Sequence, residues 1–414
     1  MERQRVVITG LGTVNPLDNN VVSTWEKALK GESGIGLITR FDPSNFKTRF
    51  AGEVKGLDVS LYIEPKAAKR MDPFTVFGVC AAEQAISDAG IDFSQFTPED
   101  IGVIMGVGMG GILTFEDQHS ALINKGPGRV SPFFVPMLIP DIVCGHIAMR
   151  HNLKGDNYSI SSACASSAHA IGESYWSIAT GRQRMIITGG AEAAVAPMAL
   201  AGFNSAQALS TRNDDYQHAS RPFDLNRDGF IMAEGSAIIV LEELSSALKR
   251  GAKIYAEIVG MGYSCDAFHI TSPDPEGKGA ILAMQKALKS AGLEPHQIGH
   301  INAHGTSTEL NDKTETGAIK QVFGDHAYQL VVCSTKSMTG HLLGSAGAIE
   351  TLFLAKSLQE QVIPPTINYQ TPDPSCDLNY NPNQASSLSF EYGLTNSFGF
   401  GGHNCSLILK RYAE

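Results

Sequence analysis

Residues 158–172, YSISSACASSAHAIG, switch within a few positions from a strand period to a helix period. Tyr158 and Ile160 alternate with small residues, and Ala168, Ile171, Gly172, Tyr175, Ile178 and Ala179 then recur at three- and four-residue spacing. A strand running directly into a helix fixes an α/β unit and places Cys164 at the junction, where only Ser and Ala flank the thiol. Helix amides and the macrodipole at a first turn favour a thiolate, which suits a nucleophile. A small Cys packed in a tight turn is the commoner use of such a position. The rest of the chain decides between them.

The same alternation recurs along the sequence. Strand patterns at 5–9, 101–107, 185–188, 229–231 and 236–241 are interleaved with helix patterns at 22–29, after Asn20, and at 74–89, ended by Gly90. A Pro-punctuated apolar stretch at 131–153 predicts a cap of short helices, and 196–227 is a second irregular excursion containing the polar loop STRNDD. Strand patterns then return at 254–259, 298–303, 331–333 and 388–395, with helices at 279–291 and 344–358. This predicts two similar α/β halves stacked about a pseudo-twofold, 1–252 with the Cys and 253–414 with two candidate His, their strand ends meeting at one site. A chain of 414 residues, 43% hydrophobic and 18% charged, is long enough for two such halves.

Charge and cysteine usage narrow the function. A net charge of −10 argues against nucleic acid or an anionic membrane as principal partner. The seven cysteines are scattered without a CxxC pair, against a disulfide framework or zinc ribbon and in favour of a reducing compartment. The start, MERQRVVITGLG, enters a strand pattern at once and lacks signal- or transit-peptide character, and no apolar run is long enough for a membrane span. A cytoplasmic protein is expected. The run GVGMGG at 106–111 does not fit the spacing of a dinucleotide loop. Met109 within it is equally consistent with a cavity wall and with a core contact.

Two histidines occupy matching points of the two later units: His304 in NAHGTST at 302–308 and His341 in STKSMTGHLLGSAGAIE at 334–350. Each lies in a glycine-bordered loop, and together with Cys164 they form a nucleophile with candidate acid/base partners. A Cys/His/His zinc site is the competing reading, weakened by the absence of local ligand spacing. In NSFGFGGHN at 396–404, glycines let the backbone approach a reacting carbonyl, so that an amide can stabilise an oxyanion. Lys336 suits either an ion pair, with Glu350 the candidate partner, or tuning of His341.

The motifs SSACASSAHAIG, NAHGTST, TKSMTGHLLGSAG and NSFGFGGHN, in this order, resemble the condensing β-ketoacyl-acyl carrier protein synthases of fatty-acid synthesis, from VVITGLG at 6–12 to CSLILK at 405–410. SPFFVP at 131–136, ALSTRND at 208–214 and FDLNRDGF at 223–230 are more similar to the elongating, synthase II branch than to the synthase I branch. Ala233 and Ala237 stand where that family often has glycine, and His403 where Thr is common.

The resemblance implies a thiolase-like, five-layered αβαβα fold of two pseudo-duplicated halves, usually homodimeric. It implies decarboxylative condensation of an acyl chain with malonyl-acyl carrier protein, with no metal and no cofactor. By motif, Cys164 is the nucleophile, His304 and His341 handle the malonyl thioester carbonyl, and Lys336 is the supporting charge. Phe400 supplies an oxyanion-hole amide with Cys164 and gates the acyl pocket. Met109 and Phe203 border that pocket; Thr306 and Thr308 match positions that bind the phosphopantetheine arm, and Ser272 joins them as a substrate-binding candidate. The partner is acyl carrier protein bearing an acyl or malonyl phosphopantetheine. Lys66, Lys69 and Arg70 in KAAKR share one face if that segment is helical, and Lys125, Arg129 and Arg212 are further docking candidates. A polyketide ketosynthase and a noncatalytic carrier-binding scaffold are the alternatives.

Overall fold

The computed structural model describes residues 3–413. Met1 and Glu2, the first two residues of the MERQRVVITGLG start, lie outside that range.

The Val- and Ile-rich strand patterns pair into one sheet. The first five strands are β1 (Val6–Val14), β2 (Ile101–Gly106), β3 (Asn157–Ile160), β4 (Met185–Glu192) and β5 (Gly235–Glu243); the second five are β6 (Ala256–Cys265), β7 (Ile298–Asn302), β8 (Val331–Cys333), β9 (Tyr392–Gly399) and β10 (His403–Arg411). Their order is β8-β7-β9-β10-β6-β1-β5-β4-β2-β3. Read from each outer edge, the two half-sheets are the same: β3-β2-β4-β5-β1 and β8-β7-β9-β10-β6. In both, the fifth strand runs antiparallel to its neighbours while the second, third and fourth are parallel. The half-sheets join where β1 meets β6 antiparallel, with Val7 opposite Glu257.

Five layers follow from the helices. Helix α1 (Val21–Leu29) begins where Asn20 accepts the Ser23 amide. Helix α2 (Pro73–Ala89) is capped by Asp72 and ended by Gly90 at φ 59°, and covers the outer face of β1 and β5. Helices α3 (Ser166–Ala179) and α6 (Ala346–Glu360) lie between the half-sheets, each touching strands of both. Helices α4 (Lys278–Ala291) and α5 (Glu309–Phe323) cover the other outer face. The central pair packs closely because its facing residues are small: a Cβ on Gly347 would stand 2.7 Å from that of Ala168. The duplication reaches single residues. A Cβ on Gly12 would lie 2.0 Å from the Ala81 carbonyl oxygen of α2, and one on Gly262 would lie 2.0 Å from the Ala283 oxygen of α4.

Two sequence expectations are corrected. Residues 229–231 form no strand; Phe230 makes only an isolated bridge to Leu209, because the excursion returns as loop alongside loop. The strand expected at 388–395 runs Tyr392–Gly399, since pairing with β10 carries the small, loop-like NSFG residues into the ladder. The 131–153 cap contains helices Phe134–Leu138 and Ile142–His151, as expected. Among the described residues, no helix is long and apolar enough to cross a membrane.

Candidate active site

Between β3 and α3 the chain turns sharply. Ala163 has φ 51°, a left-handed conformation that costs a non-glycine residue about 1–3 kcal/mol. Ser166 holds the turn: its hydroxyl accepts the Ser162 amide at 2.9 Å and donates to the Ala163 carbonyl at 2.6 Å. Cys164 is thereby presented, half-buried, to a cavity of about 560 Å³. Burial pushes its thiol up to about 11, although the Lys336 charge and the Phe400 N–H pull the other way. Burial thus opposes the thiolate that the helix start and the Lys336 charge favour.

His304 follows β7 and is fixed through its backbone. Glu315 of α5 accepts the amides of His304 and Gly305 at 2.9 and 2.8 Å, and is itself held by Asn396 Nδ2 of β9 at 3.1 Å. Lys336 Nζ donates to the His304 carbonyl at 2.7 Å and to Glu350, and lies 3.4 Å from His304 Nδ1. An ammonium only donates, so Nδ1 accepts and the ring proton sits on Nε2. Lys336 thus pairs with Glu350, the partner anticipated from sequence, while also touching a histidine; both ion-pair members are buried.

His341 is placed by the loop before α6. Its amide donates to the Ile231 carbonyl at 2.8 Å, its carbonyl accepts from Ala233, and its ring meets the Phe230 ring edge-to-face at 5.3 Å. The two imidazoles are 5.4 Å apart between centroids, at 85°. Burial first, then the Lys336 charge, holds both well below the usual histidine range, so both are neutral at neutral pH. His341 Nδ1 has no hydrogen-bond partner among the described residues.

The remaining pocket candidates converge on the same cavity. Met109, Phe203, Ser272, Thr306, Thr308 and Phe400 all line it. Phe400 follows β9 and precedes Gly401 and Gly402, at φ 84° and 75°, in the short turn to β10. Its ring is 6.3 Å from that of Phe203, which abuts Phe230 at 5.2 Å. The Thr306 and Thr308 hydroxyls are 3.0 Å apart, and the Ser272 amide donates to His269 Nδ1 at 3.2 Å.

The basic candidates lie elsewhere. Lys66, Lys69, Arg70, Lys125 and Arg129 are exposed. The single helical face expected for 66–70 is not realised: the helix is Pro65–Ala68, Lys69 is its C-cap, and Arg70 lies beyond, with its guanidinium 4.6 Å over the Phe133 ring. A four-residue segment is too short to repeat an i, i+3, i+4 pattern. Arg212 is half-buried and donates to the Asn226 carbonyl at 2.8 Å. Among the described residues, no group of three or more His, Cys, Asp and Glu is arranged to hold a metal ion.

Sequence reasoning missed Glu315 and Glu192. Glu192 is a lone acid in the charge-poor GGAEAA, Glu315 is one of several charged residues in ELNDKTETGAIK, and each proves to be a buried acceptor of backbone amides.

A thiol from one half-sheet facing histidines from the other, on a sheet order used twice, is the architecture of the thiolase-like α/β proteins. The family model described as "Beta-ketoacyl synthase, N-terminal domain" matches residues 3–247, and "Beta-ketoacyl synthase, C-terminal domain" matches residues 255–370. The chain belongs to the beta-ketoacyl synthase family. It is 51% identical over 412 residues to the "3-oxoacyl-[acyl-carrier-protein] synthase 2" of Synechocystis, covering 100% of this chain and 99% of that protein. It is 50% identical over 411 residues to the protein of the same name from Staphylococcus aureus strain COL, covering 99% of each. Among solved structures, a beta-ketoacyl synthase from Burkholderia phymatum superposes with TM-score 0.92 at 35% identity, covering 99% of this chain and 100% of that one. A type II polyketide ketosynthase in complex with its acyl-carrier protein superposes with TM-score 0.93 at 33% identity and the same coverage.

Proposed function

We propose that this chain condenses an acyl group carried on Cys164 with malonyl-acyl carrier protein, releasing carbon dioxide and giving 3-oxoacyl-acyl carrier protein in fatty-acid elongation. The observation that carries the reading is the paired neutral imidazoles of His304 and His341 sharing one cavity with Cys164. The names of the half-identical relatives point to the same reaction.

In the first half-reaction Cys164 loses its proton and attacks the acyl thioester. A tetrahedral oxyanion forms, and the pantetheine sulfur leaves with a proton. The Phe400 amide, directed at Cys164, and the Cys164 amide serve as oxyanion donors. In the second, the bond to the malonyl carboxylate breaks and its electron pair moves toward the thioester carbonyl, giving an enolate. N–H groups of His304 and His341 stabilise the enolate oxygen where charge develops, and the decarboxylated α-carbon attacks the acyl-Cys carbonyl, expelling the Cys164 sulfur, which takes up a proton to restore the thiol. Lys336 positions His304 and, with Glu350, keeps its charge paired within the protein. Met109 and Phe203 border the acyl chain, while Thr306, Thr308 and Ser272 face the pantetheine arm.

The exposed Lys66, Lys69, Arg70, Lys125 and Arg129 are the docking surface for the acidic carrier, with Arg212 contributing least because its guanidinium already serves Asn226. The protein acts in the cytoplasm as a homodimer, a reading supported by the position of β3 at the outer edge of the sheet. The chain divides into halves at 1–252 and 253–414.

The test pairs Cys164→Ala with a panel of acyl carriers. Intact mass should show acylation of the wild type and none of the variant, with carbon dioxide release from malonyl carrier accompanying extension. Retained acylation of Cys164→Ala overturns the assignment. Extension of ordinary saturated chains separates fatty-acid elongation from a polyketide role.

A further inference from the structure

The glycine-rich run at 106–111 and the glycine after His341 have a common occupant between them. Glu192, the last residue of β4, is fully buried and borders the cavity. Its Oε2 accepts the amides of Gly108 and Gly344, both at 3.0 Å, and its Oε1 accepts the Met109 amide at 3.1 Å. The two loops can close on this carboxylate only because both are glycine there. A Cβ on Gly108 would stand 2.3 Å from Glu192 Oε2, and one on Gly344 would stand 2.2 Å from the Gly108 nitrogen and 2.7 Å from the same oxygen.

We propose that Glu192 is a positioning residue that clamps the loop bearing Met109 to the loop bearing His341, tying the wall of the acyl cavity to the malonyl-side histidine. Met109 belongs to the acyl side of the reaction and His341 to the malonyl side, and among the described residues no other side chain accepts amides from both loops. A chain that displaces Met109 therefore pulls on the amide beside it, and the shared carboxylate transmits that displacement to Gly344, three residues beyond His341. The inference rests on the condensation reading.

Protonation is the natural way to loosen the clamp. Burial, reinforced by Asp72 at the start of α2, pushes the Glu192 carboxyl up to about 7 against the pull of its three amides. Its charge in turn raises the Cys164 thiol, which is uncharged over the range in which Glu192 titrates. Above that value the charged carboxylate accepts all three N–H groups; below it the neutral acid accepts more weakly and turns an O–H toward donors.

The closing experiment compares wild type with Glu192→Gln, which preserves shape but turns an NH2 toward the amides. Acyl transfer to Cys164 and decarboxylation of malonyl carrier are measured separately. Decarboxylation on the acylated enzyme should lose kcat by roughly ten- to hundredfold, most with long acyl chains, while KM for a short acyl donor stays unchanged. Equal loss in both half-reactions, or none, overturns the clamp. Hydrogen exchange of the wild type decides the matter if the variant does not fold. Corrected for intrinsic exchange, peptides containing residues 108–109 and 344 should lose protection together as pH falls from about 8 to about 6; change in only one, or in neither, overturns it. Wild type that never gains acyl mass on Cys164 instead refutes the condensation reading itself.

Discussion

Lys336 Nζ sits 2.7 Å from the carbonyl oxygen of His304 and 3.4 Å from its Nδ1, so one buried ammonium fixes both the backbone and the tautomer of a histidine 32 residues away in sequence. The same nitrogen is paired with Glu350 of α6. A lone buried ammonium would be expelled or neutralised; the pair lets a positive charge stay beside two imidazoles and keep both unprotonated.

Removing Lys336 should therefore damage stability and chemistry by separable routes. Lys336→Ala leaves Glu350 without its partner, at a cost of about 3–5 kcal/mol in urea unfolding. Burial has pushed the Glu350 carboxyl up to about 7 even beside Lys336, and it rises further without that charge. The loss should therefore be largest well above pH 7, where Lys336→Ala/Glu350→Gln should recover part of it, and should shrink as pH falls and Glu350 takes up a proton. Condensation should remain depressed in both variants, since neither restores the donor to His304 Nδ1. Equal unfolding free energies for the single and double variants well above pH 7 would remove the buried-charge argument.

The thiol of Cys164 gives a direct pH prediction. With the group pushed up to about 11, thiolate is scarce at neutral pH and grows as pH rises toward that value. Alkylation of Cys164 by a small haloacetamide should accelerate about tenfold per pH unit between about pH 7 and 10, without the plateau of an activated thiolate. Lys336→Ala should lower the rate at every pH in that range, because its charge favours the thiolate. A plateau already present at neutral pH would show that burial does not dominate.

The site was legible where its residues stand in local patterns. Cys164, His304 and His341 lie at strand ends or glycine-bordered loops, where spacing exposes a side chain, and the repeated periodicity carried both half-sheets. What lay hidden depends on partners far away in sequence. Nothing around Glu315 announces the amides of His304 and Gly305, and GGAEAA does not disclose Gly108 and Gly344. The hairpin with β10 also made strand of NSFG, whose composition reads as loop. Helix polarity at Cys164 is visible in the sequence, whereas the desolvation that opposes it is not.

Docking of the acidic carrier should depend on Lys66 and Lys69, whose ammonium groups are exposed, rather than on a helical stripe. Reversing both charges should raise KM for carrier-bound substrate while leaving small acyl thioesters unaffected, because steering and docking act only on the large charged partner. The effect should shrink as salt is added. Equal losses with carrier-bound and small substrates would place these lysines outside the docking surface.

Chain length should be set at Met109. The side chain borders the cavity, packs with the apolar group that includes Leu200, Phe230 and Leu343, and has its amide tied to Glu192. Met is flexible, so it yields to a chain by changing rotamer, whereas an aromatic ring has fewer ways to move aside. Met109→Trp adds bulk to a wall that the distal carbons of a long acyl group must pass, and overpacking costs about 1–3 kcal/mol when no relaxation is open. Extension of long chains should fall by roughly fivefold to a hundredfold. Short chains, which end before the obstruction, should react at nearly the wild-type rate, and acylation of Cys164 by a short donor serves as the control within the same preparation. Proportional loss for short and long chains would show that residue 109 governs the geometry of the site as a whole and does not measure the chain.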